Sequence, residues 1–148
     1  MHLLDTLTIG IVGLMVGNEF AVSAFVNPAL WQLDSSPQAQ GLSLLARSLG
    51  LAMPVWYGLC LALLALELFL HRHQTAFLPL LMATLIWVGV IVFTIGMLVP
   101  INNPIASLNT AALAPNWKLD HKKWDRLHRV RILLLTLALF VLTYALVG

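Results

Sequence analysis

Trp124-Asp125-Arg126-Leu127-His128-Arg129-Val130-Arg131 runs without a break into Ile132–Val147, sixteen residues that carry no charge. A helix needs about 20 residues to cross the hydrocarbon of a bilayer. Counted back from Val147, such a helix begins near His128. His128, Arg129 and Arg131 are therefore expected in the first turns of a membrane helix, not in a free loop. Trp124, His128 and Arg131 are spaced i, i+4, i+7, which places them on one helical face. Asp120 extends that face outward and Leu135 extends it inward, while Asp125 and Arg129 form an i, i+4 pair on another side. An imidazole and a guanidinium at lipid depth are costly unless they point into the protein or a wet cavity. The plainer reading suits Arg126 and Arg129, which can snorkel to headgroups while Trp124 sits in the interfacial belt.

The rest of the chain agrees with a membrane setting. Of its 148 residues, 60% are hydrophobic and 9% charged, against about 25% charged in an ordinary soluble domain. The length suits one transmembrane domain, residues 1–148, folded as an all-α four-helix bundle. A net charge of +2 gives no reason to expect nucleic acid, because the basic residues gather beside a membrane helix, where lipid or topology accounts for them. The one cysteine, Cys60, lies in an apolar run and reads as a buried structural thiol. Met1–Asp5 has no Lys or Arg, so a secretory leader is not expected.

The four helices are expected at about 3–26, 37–70, 75–99 and 120–147. In the first, Gly10, Gly13 and Gly17 form a smooth stripe suited to close helix contact. Glu19 is a lone acid about two turns inside, on the face of Met15, Ser23 and Asn27. It is expected to be neutral, paired with a cation, bound to a metal, or simply hydrogen-bonded between helices. Asn27-Pro28 is expected to end this helix, since the residue before proline is pushed out of the α region. Ser36 is a candidate cap for the second helix, with Pro37 at its first position. Pro54 is expected to kink that helix, and Trp56 and Tyr57 beyond it are candidates for a cavity wall. Glu67, His71, Arg72 and His73 at its far end read as a solvated turn; His71 and His73, two apart, do not face one another on a helix. The third helix is expected to stop at Val99-Pro100-Ile101-Asn102-Asn103-Pro104, where carbonyls freed by two prolines need partners. A faint echo links Val26-Asn27-Pro28 to Asn103-Pro104.

Four spans put both termini on one side and the loops 28–41 and 104–120 on the other, near Lys118, Lys122, Lys123 and Arg126. The charge bias places this basic face in the cytoplasm, with a bacterial inner membrane as the expected setting. Glu19, Ser23 and Asn27, then Arg47 and Trp56, then Asn102 and Asn103, then Trp124, His128 and Arg131 all approach that face. A shared cavity opening toward it is the expectation, with apolar walls and a few placed polar groups.

Leu98-Val99-Pro100-Ile101-Asn102-Asn103, Trp117, and the Trp124-x3-His128-x2-Arg131 pattern resemble the anthrone oxygenase-like family of small four-helix bacterial membrane proteins. Glu19 and Asn27-Pro28 also fit it. The resemblance implies oxidation of polycyclic anthrones to anthraquinones in some members, without a familiar cofactor motif. On that footing the chain is expected to be an oxidoreductase with a pocket for a lipophilic aromatic or quinol-like substrate. His128 would be the general base, Arg131 with Asn102 or Asn103 would stabilise an oxyanion, and Glu19 would orient His128 or take the proton. Trp124 and Trp56 would stack on rings, with Asn27 as a further binding residue. The cofactor is left open between none and a metal near Glu19 and His128. The alternatives are a metal- or haem-binding membrane protein and a non-catalytic binding or transport protein. The expected partners are membrane lipid and a lipophilic small molecule, with a homo-oligomer left open.

Overall fold

The computed structural model describes residues 2–109 and 113–148. Among these residues the protein is entirely helical, with four long helices: α1 (His2–Leu30), α2 (Ser35–Leu70), α3 (Phe77–Ala106) and α4 (Trp117–Val147). Each is long and apolar enough to cross a membrane. The pattern of exposure fits that reading. Leu14, Phe25, Leu51, Val55, Leu85, Val92, Leu133 and Phe140 face outward, while Glu19, Glu67, His121, His128 and Arg131 are buried. Water rewards the opposite arrangement; lipid tolerates apolar exteriors and penalises outward polar groups. The chain is an integral membrane protein.

Neighbouring helices run antiparallel. Thr8 near the start of α1 meets Glu67 near the end of α2. Asn27 near the end of α1 meets Asp125 near the start of α4. Helix α4 packs most extensively on α3 and also along α1. The main core includes Met15, Cys60, Leu64, Leu80, Trp87, Leu135 and Leu142. A smaller core of Ala39, Leu42, Ala46, Ile105 and Trp117 closes the end where α2 and α4 begin.

The prolines do not end helices where the sequence suggested. Helix α1 continues through Asn27 and Pro28 to Leu30, and α3 continues through Pro100 and Pro104 to Ala106. Asn27 and Val99, each followed by proline, both stay in the right-handed helical region. A widened π-turn precedes each proline, Val22–Val26 in α1 and Thr94–Leu98 in α3. A proline ring lacks an N–H and clashes with the carbonyl four residues back. One wider turn moves that carbonyl aside and keeps the helix going. In both helices the π-turn ends two residues before the proline, so the internal echo pairs Pro28 with Pro100, not with Pro104.

Other boundaries shift by a turn or less. Helix α2 begins at Ser35 after Asp34, so Ser36 lies inside it and is not its cap. Helix α4 begins at Trp117, which puts Asp120 in its first turn. Residues 110–112 of the expected 104–120 connection lie outside the described residues. The last carbonyl of α3, on Ala106, accepts bonds from Ser43 (2.9 Å) and Arg47 (2.7 Å) of α2. The glycine stripe makes no close contact among the described residues: a Cβ at Gly10, Gly13 or Gly17 meets nothing within 4 Å.

Candidate functional site

Arg131 is the hub of a buried polar cluster. Its Nη2 donates to Glu19 Oε2 at 2.6 Å and to His128 Nδ1 at 2.8 Å. Tyr57 donates its hydroxyl to the other carboxylate oxygen, Oε1, at 3.0 Å. Since His128 Nδ1 accepts from the guanidinium, Nε2 carries the proton. Nε2 lies 3.2 Å from the backbone carbonyl of Glu19, to which it donates. Trp124 stacks on the imidazole, with ring centroids 4.6 Å apart and planes within 19°. Helix α1 thus supplies the acid, α2 the phenol, and α4 the imidazole and the cation. A buried ion pair is tolerable when its remaining lone pairs and protons are satisfied, as most are here.

A second cluster lies nearer the basic end. Asn27 donates to Asp125 Oδ1 at 3.0 Å, and Arg129 donates to Oδ2 at 2.7 Å. The Asp125–Arg129 pair expected from its spacing is present.

Beside the first cluster is a cavity of about 470 Å³. Its walls are mostly apolar residues of α2 and α3, including Leu49, Met53, Ile91 and Leu98. Glu19, Tyr57 and Arg131 form a polar patch on it, and His121, Asn102, Asn103 and Trp124 border it as well. The exposed lining residues are Gly50, Pro54 and Gly58 of α2 and Ile95, Val99 and Asn103 of α3. The mouth is therefore lateral, between α2 and α3, not end-on toward the basic face. The α3 π-turn builds one wall through Thr94, Ile95 and Leu98, and the α1 π-turn touches the cavity at Val22. Wide turns of this kind often mark functional sites. Pro54 leaves the Gly50 carbonyl without its i+4 donor on the same wall.

Three lining residues carry buried polar atoms with no hydrogen-bond partner among the described residues. They are Thr94 (Oγ1), His121 (both ring nitrogens) and Arg131 (Nε). Native interiors leave few such groups. His121 is fully buried and stacked on Trp31, with centroids 4.5 Å apart and planes within 7°. The stack fixes the ring and leaves its nitrogens uncommitted.

The expected residues divide as follows. Glu19, Arg131, Asn102, Asn103 and Trp124 border the cavity. His128 joins the Glu19–Arg131 cluster but is not on the cavity wall, and both its nitrogens are engaged. Trp56 packs against the main core and does not line the cavity, although its neighbour Tyr57 does. One residue is about 100° of helical rotation. Asn27 belongs to the Asp125 cluster. Glu19 Oε2 and His128 Nδ1 are 3.4 Å apart, but the Arg131 guanidinium already binds both atoms, and a metal there would have to displace a cation. His121 was missed. It sits in Asp120-His121-Lys122-Lys123, a run with the look of a solvated helix start, and its stacking partner belongs to another helix end.

Comparison with known proteins gives one match. A family model described as anthrone oxygenase covers residues 44–141, more than half of the chain. No curated protein and no solved structure matches.

Proposed function

The chain belongs to the anthrone oxygenase family, and from that premise we propose that it is a membrane oxidoreductase that oxidises a lipophilic aromatic or quinol-like molecule with dioxygen. The observation that carries the reading is the set of uncommitted polar atoms on Thr94, His121 and Arg131 around a mostly apolar cavity. A ring system fills the apolar part, and its oxygen substituents supply the missing partners. The lateral mouth suits a substrate dissolved in lipid.

In this reading His121 is the general base. It is held by Trp31 and has a nitrogen free to accept a proton from a phenol or an activated C–H. Arg131 offers Nε to the oxygen on which negative charge develops. Glu19 and His128 keep the guanidinium in place, so His128 is a positioning residue. Asn102 and Asn103 border the same space and are further donors and acceptors. Removal of the proton leaves an electron-rich anion. Dioxygen, the co-substrate, takes two electrons from a quinol anion and leaves as hydrogen peroxide, or adds at an anthrone carbanion to give a hydroperoxide that loses water to leave the new carbonyl. The setting is a bacterial inner membrane with the 28–41 and 104–120 loops cytoplasmic, supported by Lys118, Lys122, Lys123 and Arg126 at that end.

The test is oxygen uptake by the purified protein in detergent with an anthrone or a hydroquinone. Uptake above the rate without protein is expected, accompanied by quinone formation. Uptake equal to that background across a panel of such substrates would sink the reading.

A further inference from the structure

A second group of titratable side chains lies at the other end of the bundle. Asp5 of α1 and Glu67 and His71 of α2 each offer one ligand atom, all within 4.8 Å of one another. Fourteen residues of helix separate Asp5 from Glu19, about 21 Å along the axis. This group therefore neither touches the cavity nor depends on its chemistry. The sequence reads Glu67 and His71 as part of a solvated turn, but the structure buries both. Of the four residues in that turn, Arg72 and His73 stay exposed.

The donors are prepared for a ligand they do not find among the described residues. Thr8, fully buried, donates its hydroxyl to Glu67 Oε1 at 2.8 Å and fixes the carboxylate plane. The other oxygen, Oε2, is buried without a hydrogen-bond partner, and so is Asp5 Oδ1. His71 Nδ1 is 3.5 Å from Oε2, too far for a good hydrogen bond, and 2.9 Å from the Glu67 carbonyl. Two carboxylates thus face one imidazole in a low-dielectric setting, where unpaired negative charge is expensive. A cation bound by all three residues removes that cost.

We propose that Asp5, Glu67 and His71 bind a divalent metal ion that clasps the start of α1 to the end of α2. The mixed carboxylate and imidazole set suits Zn²⁺ or Mn²⁺. Thr8 plays the outer role of orienting a ligating carboxylate. His71 gives up its bond to the Glu67 carbonyl when its ring nitrogen turns to the metal. The ion is structural, because it lies far from the cavity.

The test uses the untagged protein in detergent, stripped with a chelator, exposed to Zn²⁺ or Mn²⁺, and freed of excess metal. One ion per chain by elemental analysis is expected. Saturating metal should raise the melting temperature by about 5 °C or more. Glu67→Gln keeps the acceptor for Thr8 but removes the charge, and should weaken binding at least about tenfold. Asp5→Asn, at the less buried ligand, should do the same and serves if Glu67→Gln fails to fold. No retained ion in the parent overturns the proposal. So does binding that survives both substitutions, which would place the metal on surface residues such as His2 or His73.

Discussion

At the scale of single residues, the cavity separates groups with committed hydrogen bonds from groups without them. Arg131 is committed through Nη2, while its Nε is not. It spans Glu19 and His128 with one nitrogen, and Arg131→Ala leaves a buried carboxylate without its cation. A loss of about 3–5 kcal/mol is expected, read as a fall in thermal stability. Arg131→Lys should recover part of it, because the ammonium restores the cation for Glu19 but leaves no donor in the place of Nε. His121 is uncommitted. His121→Phe keeps the stack on Trp31 and removes both nitrogens. Oxygen uptake should fall by about 10²–10⁴-fold while the melting temperature hardly moves. Wild-type turnover by this variant would remove His121 from the chemistry. Glu19, Trp124 and Arg131 were legible in the sequence because charge at lipid depth is costly and their helical spacing is regular. His121 was not, because nothing local distinguishes it from its charged neighbours, and Trp31 meets it only after folding. His128 was legible as a buried group but not as a satisfied one, since the partners of each nitrogen come from other helices.

At the scale of elements, the sequence marked where helices are disturbed but not how. Pro28 and Pro100 promised breaks, and the chain absorbs each with a wider turn. A lone proline supports either outcome, and the choice depends on what the next residues can bury. Beyond Pro28 the helix gains the packing of Leu30 against the smaller core, and beyond Pro100 it gains the place of Ile105 in that core with Ala39, Leu42 and Ala46. Gly58 offers a test of the α2 wall. It lines the cavity mouth, and a Cβ there meets nothing within 4 Å. Gly58→Ala should stabilise the helix by about 1 kcal/mol. Gly58→Leu should fold equally well but raise KM for a bulky aromatic substrate by about tenfold or more, since it fills the opening. An unchanged KM would mean that the substrate enters elsewhere.

At the scale of the whole molecule, the four-span membrane fold was the most readable feature. Long uncharged runs such as Leu49–Leu66 and Ile132–Val147 have no other stable home. The direction of the cavity was less readable. Placing polar residues at one leaflet suggested an end-on opening, but the mouth depends on the spacing between α2 and α3, which no linear pattern encodes. Entry from the side has a kinetic signature. In vesicles at constant total substrate, added protein-free lipid should lower the rate as it lowers the substrate's mole fraction in the bilayer. A rate that follows only the aqueous concentration would argue for entry through the basic end.

The sideways mouth also determines what fills the chamber at rest. If entry is from the side as proposed, a hydrocarbon tail, not water, is the expected tenant. Substrate binding is then an exchange of one greasy occupant for another, and apolar contact alone favours neither. Selection falls to Thr94, His121 and Arg131, whose unmet polar atoms a lipid tail leaves unmet and an oxygenated ring system can satisfy.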